Sequence, residues 1–375
     1  MIDFLKGIAV FSGTIIGVGI FGLPYVASKV GFPSILFYFL FLTAIILTVH
    51  LMYTRVSLQM NNSHQFPGAV GTYMGLKWKK FTFVTTSLGL VGALLAYLIV
   101  GGNFFHLLLS PFLGGSVLLY TLLFFALGSI FVFKGVKDIS IVELLLLAVF
   151  LIILGVFFVK SFPYINIDYL KTTDLRFFVM PYGVILFSLW GSSVIPEVKN
   201  VVKGNAKILK SVIIAGTFLA ALVYLLFIFM IFGVTGPETS KEAILGMTNV
   251  LGSEVVKFGF IFGIITCFTS FITLGLTLKN ILFCDFGMKK NLSWLIACLT
   301  PLLLFFLGAR EFINIIGLTG TFTVGIMGII IVFLYKEFLK KKLNKKINPL
   351  AYLLPAAFII GVALEIFSFF TENIS

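Results

Sequence analysis

The chain has 375 residues, of which 60% are hydrophobic and only 11% are charged, and its formal net charge is +13. Soluble domains carry about 25% charged residues, and a mean hydropathy of +1.15 means more apolar surface than a water-soluble fold buries. These values exclude a soluble protein and indicate an integral membrane protein with several spans. The apolar segments run for roughly 20 residues without strict alternation, so the spans are helices. We expect no nucleic-acid partner, because basic loops on one side of the bilayer explain the charge.

Apolar windows between charged or Gly/Pro-rich breaks predict an all-α protein with eleven transmembrane helices. Residues 81–133 contain no Asp, Glu, Lys or Arg, and the SPFLGG turn at 110–115 divides this run into two spans. The predicted spans are, in chain order, 7–29, 34–55, 82–110, 114–133, 140–159, 177–198, 208–234, 254–284, 292–308, 311–336 and 350–370.

The basic residues predict the orientation of these spans. With the N-terminus in the cytoplasm, 20 of the 27 basic residues fall on the cytoplasmic side and 7 on the outside. Cytoplasmic loops carry the excess of Lys and Arg. We therefore expect a multi-pass protein of the plasma membrane with its N-terminus in the cytoplasm and its C-terminus outside.

Two of the predicted spans are interrupted near their middle. The first contains GTIIGVGIFGLPY, in which Gly19 precedes Pro24 by five residues, and the sixth contains FSLWGSSVIPE, in which Gly191 precedes Pro196 by five. Glycine and proline are the poorest helix formers. The sequence therefore predicts a broken helix at the start of each of two five-helix blocks.

The two blocks, 7–160 and 177–336, each contain an odd number of spans, so the second inserts upside down relative to the first. This pattern is typical of an inverted repeat with its binding site at the membrane midplane. We expect a single transmembrane domain over 1–375, made of a 5+5 inverted repeat and one extra helix at 350–370.

Unwound segments in lipid expose N–H and C=O groups, which is tolerated where these groups face a polar ligand. N–H groups at a helix start bind a carboxylate, and exposed carbonyls bind an ammonium group. An α-amino acid carries both. The alternative is that the glycines only allow close helix packing, and the spacing of Gly13 and Gly17 fits that interpretation.

The GTIIGVGIFGLPY stretch resembles the first-helix signature of the amino acid–polyamine–organocation transporter superfamily. FSLWGSSVIPE resembles the sixth-helix pattern of its amino acid/auxin permease and aromatic (tyrosine/tryptophan-type) permease branches. PGAVGTY at 67–73 is similar to a degraded form of a cytoplasmic loop motif of this superfamily. The resemblance implies a leucine-transporter-like fold and secondary active transport of neutral, aromatic or hydrophobic, L-amino acids by alternating access.

By this resemblance, backbone N–H groups of Gly17, Val18 and Gly19 bind the substrate carboxylate, and carbonyls of both breaks bind its amino group. Trp190 faces the side-chain pocket or acts as a lid, and its alternative is a lipid-facing or interfacial position. The implied substrate-binding residues are Thr14, Ile15, Gly17, Val18, Gly19, Phe187, Ser188, Trp190 and Gly191.

Hydroxyl groups on the eighth span, from Thr269, Ser270 and Thr273, are available to a sodium ion, although back-bonding to the helix explains them equally. Glu197, directly after Pro196, is the best acidic candidate for gating or proton coupling. Sodium-coupled relatives carry asparagine where Gly13 stands. We expect proton coupling, with sodium as the alternative.

The remaining titratable residues carry weaker predictions. Glu143 and Glu365 lie close enough to an interface to reach water, so we expect structural roles for both. His50 is expected to pack, and Asp285, followed by lysines, looks like part of a charged loop.

Other classes of function are less compatible with the sequence. An embedded transferase needs clustered acids with a metal, or a His or Cys nucleophile, and no such pattern is present, so we expect no enzyme, no metal site and no cofactor. A non-transporting amino acid sensor is a further alternative. The expected partners are an amino acid and the lipid bilayer, with the chain as a monomer or weak oligomer.

Overall fold

The computed structural model describes residues 2–60, 65–135 and 139–372, and the regular elements in these ranges are helical. Short 3₁₀ turns and two π-type turns join or extend the α-helices. The α-helices are α1 (Ile2–Ile15), α2 (Gly19–Val30), α3 (Phe32–Ser57), α4 (Phe66–Met74), α5 (Leu76–Leu113), α6 (Val117–Lys134), α7 (Ile139–Ser161), α8 (Ile167–Leu170), α9 (Met180–Leu189), α10 (Ile195–Val201), α11 (Ala206–Thr235), α12 (Thr248–Leu251), α13 (Ser253–Asn280), α14 (Lys290–Phe306), α15 (Phe312–Leu318), α16 (Gly325–Leu343) and α17 (Leu353–Glu372).

Eight helical segments among the described residues are long and apolar enough to cross a membrane, or nine when α1 and α2 count as one span bent by 51°. Two of the predicted spans fall below this length. Helix α14 has 17 residues, as many as predicted, and the sixth predicted span consists of the short helices α9 and α10. Over its described residues the protein is thus an all-helical membrane protein with eight or nine spans by length.

Helix α5 lies at the centre of the bundle and packs along α13, whereas α17 lies at the periphery. The most apolar window of α5 is 72% buried inside the protein, and that of α17 is only 17% buried. Apolar side chains on α17 therefore face outward, as expected for a helix in contact with lipid.

The tenth predicted span, 311–336, is one continuous helical segment, but its middle is a π-helix instead of an α-helix. A π-type turn over Thr319–Val324 joins α15 to α16 and packs against α9. The backbones come very close there, since a Cβ on Gly320 would lie 2.7 Å from the carbonyl carbon of Gly183. Such turns in helices frequently occur at functional sites, and this one faces the sixth span.

The PGAVGTY motif forms helix α4 instead of a loop. The backbone N–H of Gly68, at the start of α4, donates to Asp285 Oδ2 at 3.0 Å, and Lys79 Nζ donates to the carbonyl oxygen of Asp285 at 2.5 Å. Asp285 is only 7% exposed. The interpretation of Asp285 as part of a charged loop is incomplete, because the residue ends the π-type turn Ile281–Asp285 and its carboxylate binds the positive end of α4.

Candidate functional site

The first span is broken between α1 and α2. Ile15 is the last residue of α1 and Gly19 the first of α2, so Ile16, Gly17 and Val18 are not helical. The N–H of Gly17 turns back to the carbonyl oxygen of Ile15 at 2.7 Å. The break lies at the glycines where the sequence predicts it.

The second break separates α9, which ends at Leu189, from α10, which begins at Ile195. The N–H of Gly191 donates to His50 Nε2 at 3.1 Å, and His50 is fully buried. The expectation that His50 only packs is therefore incomplete, because its ring supplies the hydrogen-bond acceptor for the second break.

The two breaks touch each other. A Cβ on Gly19 would lie 2.9 Å from Ser188 Cβ, and a Cβ on Gly191 would lie 2.8 Å from Ile15 Cγ1. Real Cβ atoms do not approach this closely. Each break therefore needs a glycine where it meets the other, beyond the general tendency of glycine to occur in membrane helices.

Two tyrosines lie against the breaks. Tyr224 Oη, from α11, donates to the carbonyl oxygen of Ile15 and lies 2.9 Å from that of Ser188. The ring of Tyr97, from α5, packs against Gly17, where a Cβ would lie 2.9 Å from Tyr97 Cζ. Both tyrosines are buried. Tyr224 satisfies a main-chain acceptor in the membrane interior, and Tyr97 explains why position 17 needs a glycine.

A cavity opens where the breaks meet, and we call it the central cavity. Counted with the space at its mouth, it has an empty volume of about 560 Å³. Thr14, Ile15, Gly19, Phe187, Trp190 and Gly191 line it, together with apolar side chains such as Leu274 and Met327. No Asp, Glu, His, Lys or Arg of the described residues is among the lining side chains. Its chemistry therefore suits a ligand with no net charge and an apolar part.

The predicted binding residues fall on different parts of this arrangement. Trp190 lines the central cavity and is half-buried, with its ring 5.6 Å from that of His50, which does not fit a lipid-facing position. Ser188 Oγ donates to the carbonyl oxygen of Val184 at 2.7 Å, so the side chain is back-bonded to its own helix. Gly17 and Val18 form the break itself and do not line the cavity.

A second cavity lies on the other side of α1, and we call it the lateral cavity. Gly13 and Ile16 of the first span, Glu143 of α7, and Thr266 and Thr269 of α13 line it. Glu143 is 6% exposed, and its Oε1 accepts a hydrogen bond from Thr273 Oγ1 at 3.2 Å. The interpretation of Glu143 as an acid that reaches water is wrong, because the side chain faces this cavity.

The predicted coupling residues separate into three environments. Thr269 and Thr273 lie at or beside the lateral cavity, whereas Ser270 contacts Tyr97. Glu197 lines neither cavity, and its Oε1 accepts from Gln65 Nε2 at 3.4 Å. The structure therefore brings Thr269 and Thr273 together with Glu143 rather than with Glu197.

The sequence contains a signal for some of the residues that the prediction missed. Tyrosines in membrane proteins concentrate at the two interfaces, so Tyr97 and Tyr224, each in the middle of a span, are unusual. A mid-span phenol needs a hydrogen-bond partner, and broken helices supply such partners. Nothing in the sequence indicates which break each tyrosine reaches.

Two other solved structures share this arrangement of helices. MhsT, crystallised in complex with L-phenylalanine, superposes with a TM-score of 0.74 at 14% identity, covering 97% of this chain and 98% of that one. The inward-facing conformation of Mhp1 gives a TM-score of 0.70 at 11% identity, covering 96% of this chain and 88% of that one. These likenesses show that the protein has the leucine-transporter-like fold.

Sequence comparison gives the family. The chain is 25% identical over 291 residues to the tyrosine-specific transport system 1 of Haemophilus influenzae, which covers 71% of this chain and 70% of that protein. Residues 2–368 match the tryptophan/tyrosine permease family. This is a family of membrane transporters and not of enzymes. The chain therefore belongs to the tryptophan/tyrosine permease family of amino acid transporters.

Proposed function

We propose that the protein is a proton-coupled symporter that carries neutral aromatic L-amino acids by alternating access at the central cavity. The observation that carries the proposal is the meeting of two helix breaks at a cavity whose lining, within the described residues, has no charged side chain. Ligand sites are typically concave and mostly apolar, with a few polar groups that fix orientation. The two breaks supply those polar groups from the main chain.

The lining of the central cavity supports an aromatic side chain on the substrate. Phe187 and Trp190 offer aromatic faces, and Leu274, Val324 and Met327 are apolar. Aromatic rings gain stabilisation from such neighbours beyond the area they bury. The relative named for tyrosine transport and the structural neighbour bound to L-phenylalanine are consistent with this choice.

The substrate carboxylate is assigned to the N–H groups of Val18 and Gly19, at the start of α2, where the helix dipole favours negative charge. The N–H of Gly17 is a weaker donor to the substrate, because it already bonds to Ile15. The carbonyl of Ser188 accepts from Tyr224 and keeps a second lone pair for the substrate amino group. The carbonyl of Ile15 already accepts from both Tyr224 and the N–H of Gly17, so it is the weaker acceptor of the pair. Thr14 and Phe187 supply the neighbouring carbonyls.

For the whole chain we propose eleven spans in one domain over 1–375. The two shorter elements, α14 and the broken pair α9 and α10, complete the count. Residues 7–160 and 177–336 form inverted five-helix repeats, and 350–370 is the extra helix. The breaks fall at the first helix of each block, which supports the repeat.

The distribution of basic residues supports a position in the plasma membrane with the N-terminus in the cytoplasm and the C-terminus outside. We propose that the chain works as a monomer or weak oligomer, because the central cavity is built from elements of one chain.

Sodium is the second candidate for the coupling ion. Thr266 and Thr269 place hydroxyl oxygens at the lateral cavity beside the end of α1, and hard cations prefer oxygen ligands. The Thr269 hydroxyl is back-bonded to Ile265 and Thr266, but its lone pairs stay available. The two candidates differ in which ion gradient drives uptake.

Uptake into proteoliposomes tests the proposed function. Purified protein is reconstituted, and accumulation of labelled L-tyrosine, L-tryptophan and L-phenylalanine is measured under a pH gradient and, separately, under a sodium gradient. We expect accumulation under the pH gradient alone. Accumulation only under the sodium gradient would contradict proton coupling. Binding of an amino acid without any uptake would contradict transport and favour the alternative of a non-transporting amino acid sensor.

A pair of glycine variants tests the site. Gly19→Ala places a methyl group against Ser188, whereas Gly155→Ala, on α7, places one in open space. We expect Gly19→Ala to abolish uptake and Gly155→Ala to keep it. Equal uptake by both variants would contradict the assignment of the first break to the substrate.

A further inference from the structure

We propose that the carboxyl group of Glu143 is the site where the coupling proton binds, and that the last turn of α1 connects this site to the substrate. The inference rests on the proposed proton-coupled transport. It assigns the role to a residue that sequence reasoning treats as structural, in place of Glu197.

The first argument is the hydrogen bonding and the apolar surroundings of the Glu143 carboxyl group. Glu143 Oε1 accepts a hydrogen bond from Thr273, while Glu143 Oε2 is buried and has no hydrogen-bond partner among the described residues. Apolar side chains of Leu146, Leu147 and Phe150 surround it in the lateral cavity. A lone carboxylate in such surroundings is very costly unless a cation joins it, and a proton is the smallest cation that can do so.

The second argument is that the ion pairs of the described residues do not include Glu143. The helices packed against α7 are α1, α11, α12 and α13, and none of their described side chains forms an ion pair with Glu143. Glu197, on α10, is a second acid and not a basic partner. The titratable residues on those packed helices are Asp3, Lys6, Lys207, Lys210, Tyr224, Glu254, Lys257, Cys267 and Lys279.

The hydroxyl groups around the carboxyl suit its protonated form. The Thr269 hydroxyl points its hydrogen at the carbonyl oxygens of Ile265 and Thr266, so it faces the lateral cavity only as an acceptor. A protonated carboxyl is a donor through one oxygen and an acceptor through the other. The Thr273 hydroxyl shares its one hydrogen between Glu143 Oε1, at 3.2 Å, and the carbonyl oxygen of Thr269, at 3.0 Å. Thr273 therefore serves the accepting oxygen in part, and Thr269 is available to the donating one.

The third argument is the position of α1 between the two cavities. Gly13 and Ile16 line the lateral cavity, whereas Thr14, Ile15 and Gly19 line the central cavity. One turn of the first span therefore forms the wall between Glu143 and the substrate. A change on one side of this wall reaches the other through the same few residues.

The C-terminal end of α1 explains why protonation of Glu143, and not its ionisation, favours substrate binding. The last carbonyls of α1 have no intrahelical partners and carry the negative end of its dipole. An ionised Glu143 repels this end, and a protonated one does not. We therefore infer that protonation of Glu143 Oε2, which forms one O–H bond, stabilises the first break in its substrate-binding form. Loss of that proton to the opposite side loosens it.

The test separates proton coupling from substrate binding. Glu143→Gln keeps the shape of a protonated carboxyl but cannot release a proton. We expect it to lose accumulation of L-tyrosine under a pH gradient while it keeps exchange of labelled for unlabelled L-tyrosine across the membrane. The matched control is Glu365→Gln, an acid on the peripheral helix α17, which is expected to accumulate L-tyrosine as the wild type does. Accumulation by Glu143→Gln under the pH gradient would overturn the proposal.

A binding measurement tests Glu143 independently of transport. We expect L-tyrosine to bind the detergent-solubilised wild type more tightly as the pH falls, and to bind Glu143→Gln with little pH dependence. Glu143→Gln with the same pH dependence as wild type would overturn the proposal. Loss of uptake by the wild type under every gradient would contradict the proposed function instead.

If Glu143→Gln does not fold, the less disruptive variant Thr273→Val tests the same proposal. Thr273→Val removes the hydroxyl that donates to Glu143 Oε1 and nearly preserves the volume. We expect it to shift the pH profile of L-tyrosine binding without abolishing binding. An unchanged profile would overturn the proposal.

Discussion

The two helix breaks differ in what holds their main chain. At the first break, the hydroxyl of Tyr224, from α11, donates to the carbonyl oxygen of Ile15, and the ring of Tyr97, from α5, packs against Gly17. At the second, Gly191 donates to the ring of His50 from α3. The neighbouring Trp190 is half-buried, and its Nε1 has no hydrogen-bond partner among the described residues.

This difference indicates that the two breaks are not equally free to change conformation. Tyrosine side chains from two helices, α5 and α11, contact the first break, and Tyr224 also links it to Ser188 of the second. The second break has one further contact, from the imidazole of His50 to its glycine. We therefore expect the second break, with the unpaired Trp190 Nε1, to change shape more during transport, because fewer packed side chains hold it in place.

Removing the link between the breaks is expected to have the largest effect. Tyr224→Phe deletes the hydroxyl shared by Ile15 and Ser188, and an unpaired buried polar group costs about 1–3 kcal/mol. We expect the dissociation constant for L-tyrosine to rise about tenfold, since 1.4 kcal/mol corresponds to a factor of ten. Equilibrium binding of labelled L-tyrosine measures it.

The control for Tyr224→Phe is Tyr182→Phe. The hydroxyl of Tyr182 makes only a 3.5 Å hydrogen bond to Phe358, near the periphery. Equal effects of the two variants would contradict the link between the breaks.

Loss of the hydrogen bond from Gly191 to His50, at the second break, is expected to have a smaller effect on affinity. His50→Phe keeps an aromatic ring beside Phe11 but removes the acceptor of the Gly191 N–H. We expect an affinity loss of about fivefold, from about 1 kcal/mol for one hydrogen bond. His106→Phe, on α5 and away from both breaks, serves as the control in the same binding assay. A loss larger than that of Tyr224→Phe would reverse the ranking of the two breaks.

The aromatic wall of the central cavity is expected to affect selectivity. Trp190→Leu keeps an apolar side chain but removes the ring, and aromatic pairs contribute about 0.5–1.5 kcal/mol beyond burial. We expect about threefold weaker binding of aromatic substrates, with binding of L-leucine nearly unchanged. Competition assays with Trp78→Ala, an exposed residue, give the baseline. Equal losses for aromatic and aliphatic ligands would contradict a ring contact.

The smallest effect is expected for Ser188→Ala. The hydroxyl of Ser188 is bonded to its own helix, and only its backbone carbonyl contacts Tyr224. We expect less than a twofold change in affinity, roughly the scatter of surface substitutions. A large loss in the binding assay would show that the side chain, and not the main chain, contacts the substrate.

The sequence predicts what depends on local chemistry. Glycine and proline have direct effects on the backbone, so Gly17, Gly19 and Gly191 identify both breaks within a few residues of their positions. Apolar length identifies the long spans, such as 34–55 against the observed α3. The family resemblance is confirmed, since it also depends on these local motifs.

What the sequence does not predict depends on distant contacts. Tyr224 is 209 residues from Ile15, and His50 is 141 residues from Gly191, so no local pattern pairs them. Glu143 lies near the end of its predicted span, where an acid ordinarily reaches water. Only the packing of α1 and α13 over α7 encloses it.

The most direct test of the central claim is a structure of the protein with L-tyrosine bound. We expect the substrate carboxylate within hydrogen-bond distance of the N–H of Val18 or Gly19, and its ring against Phe187 and Trp190. A substrate bound without contact to either break, or a first span that runs as one continuous helix in the bound state, would contradict the account.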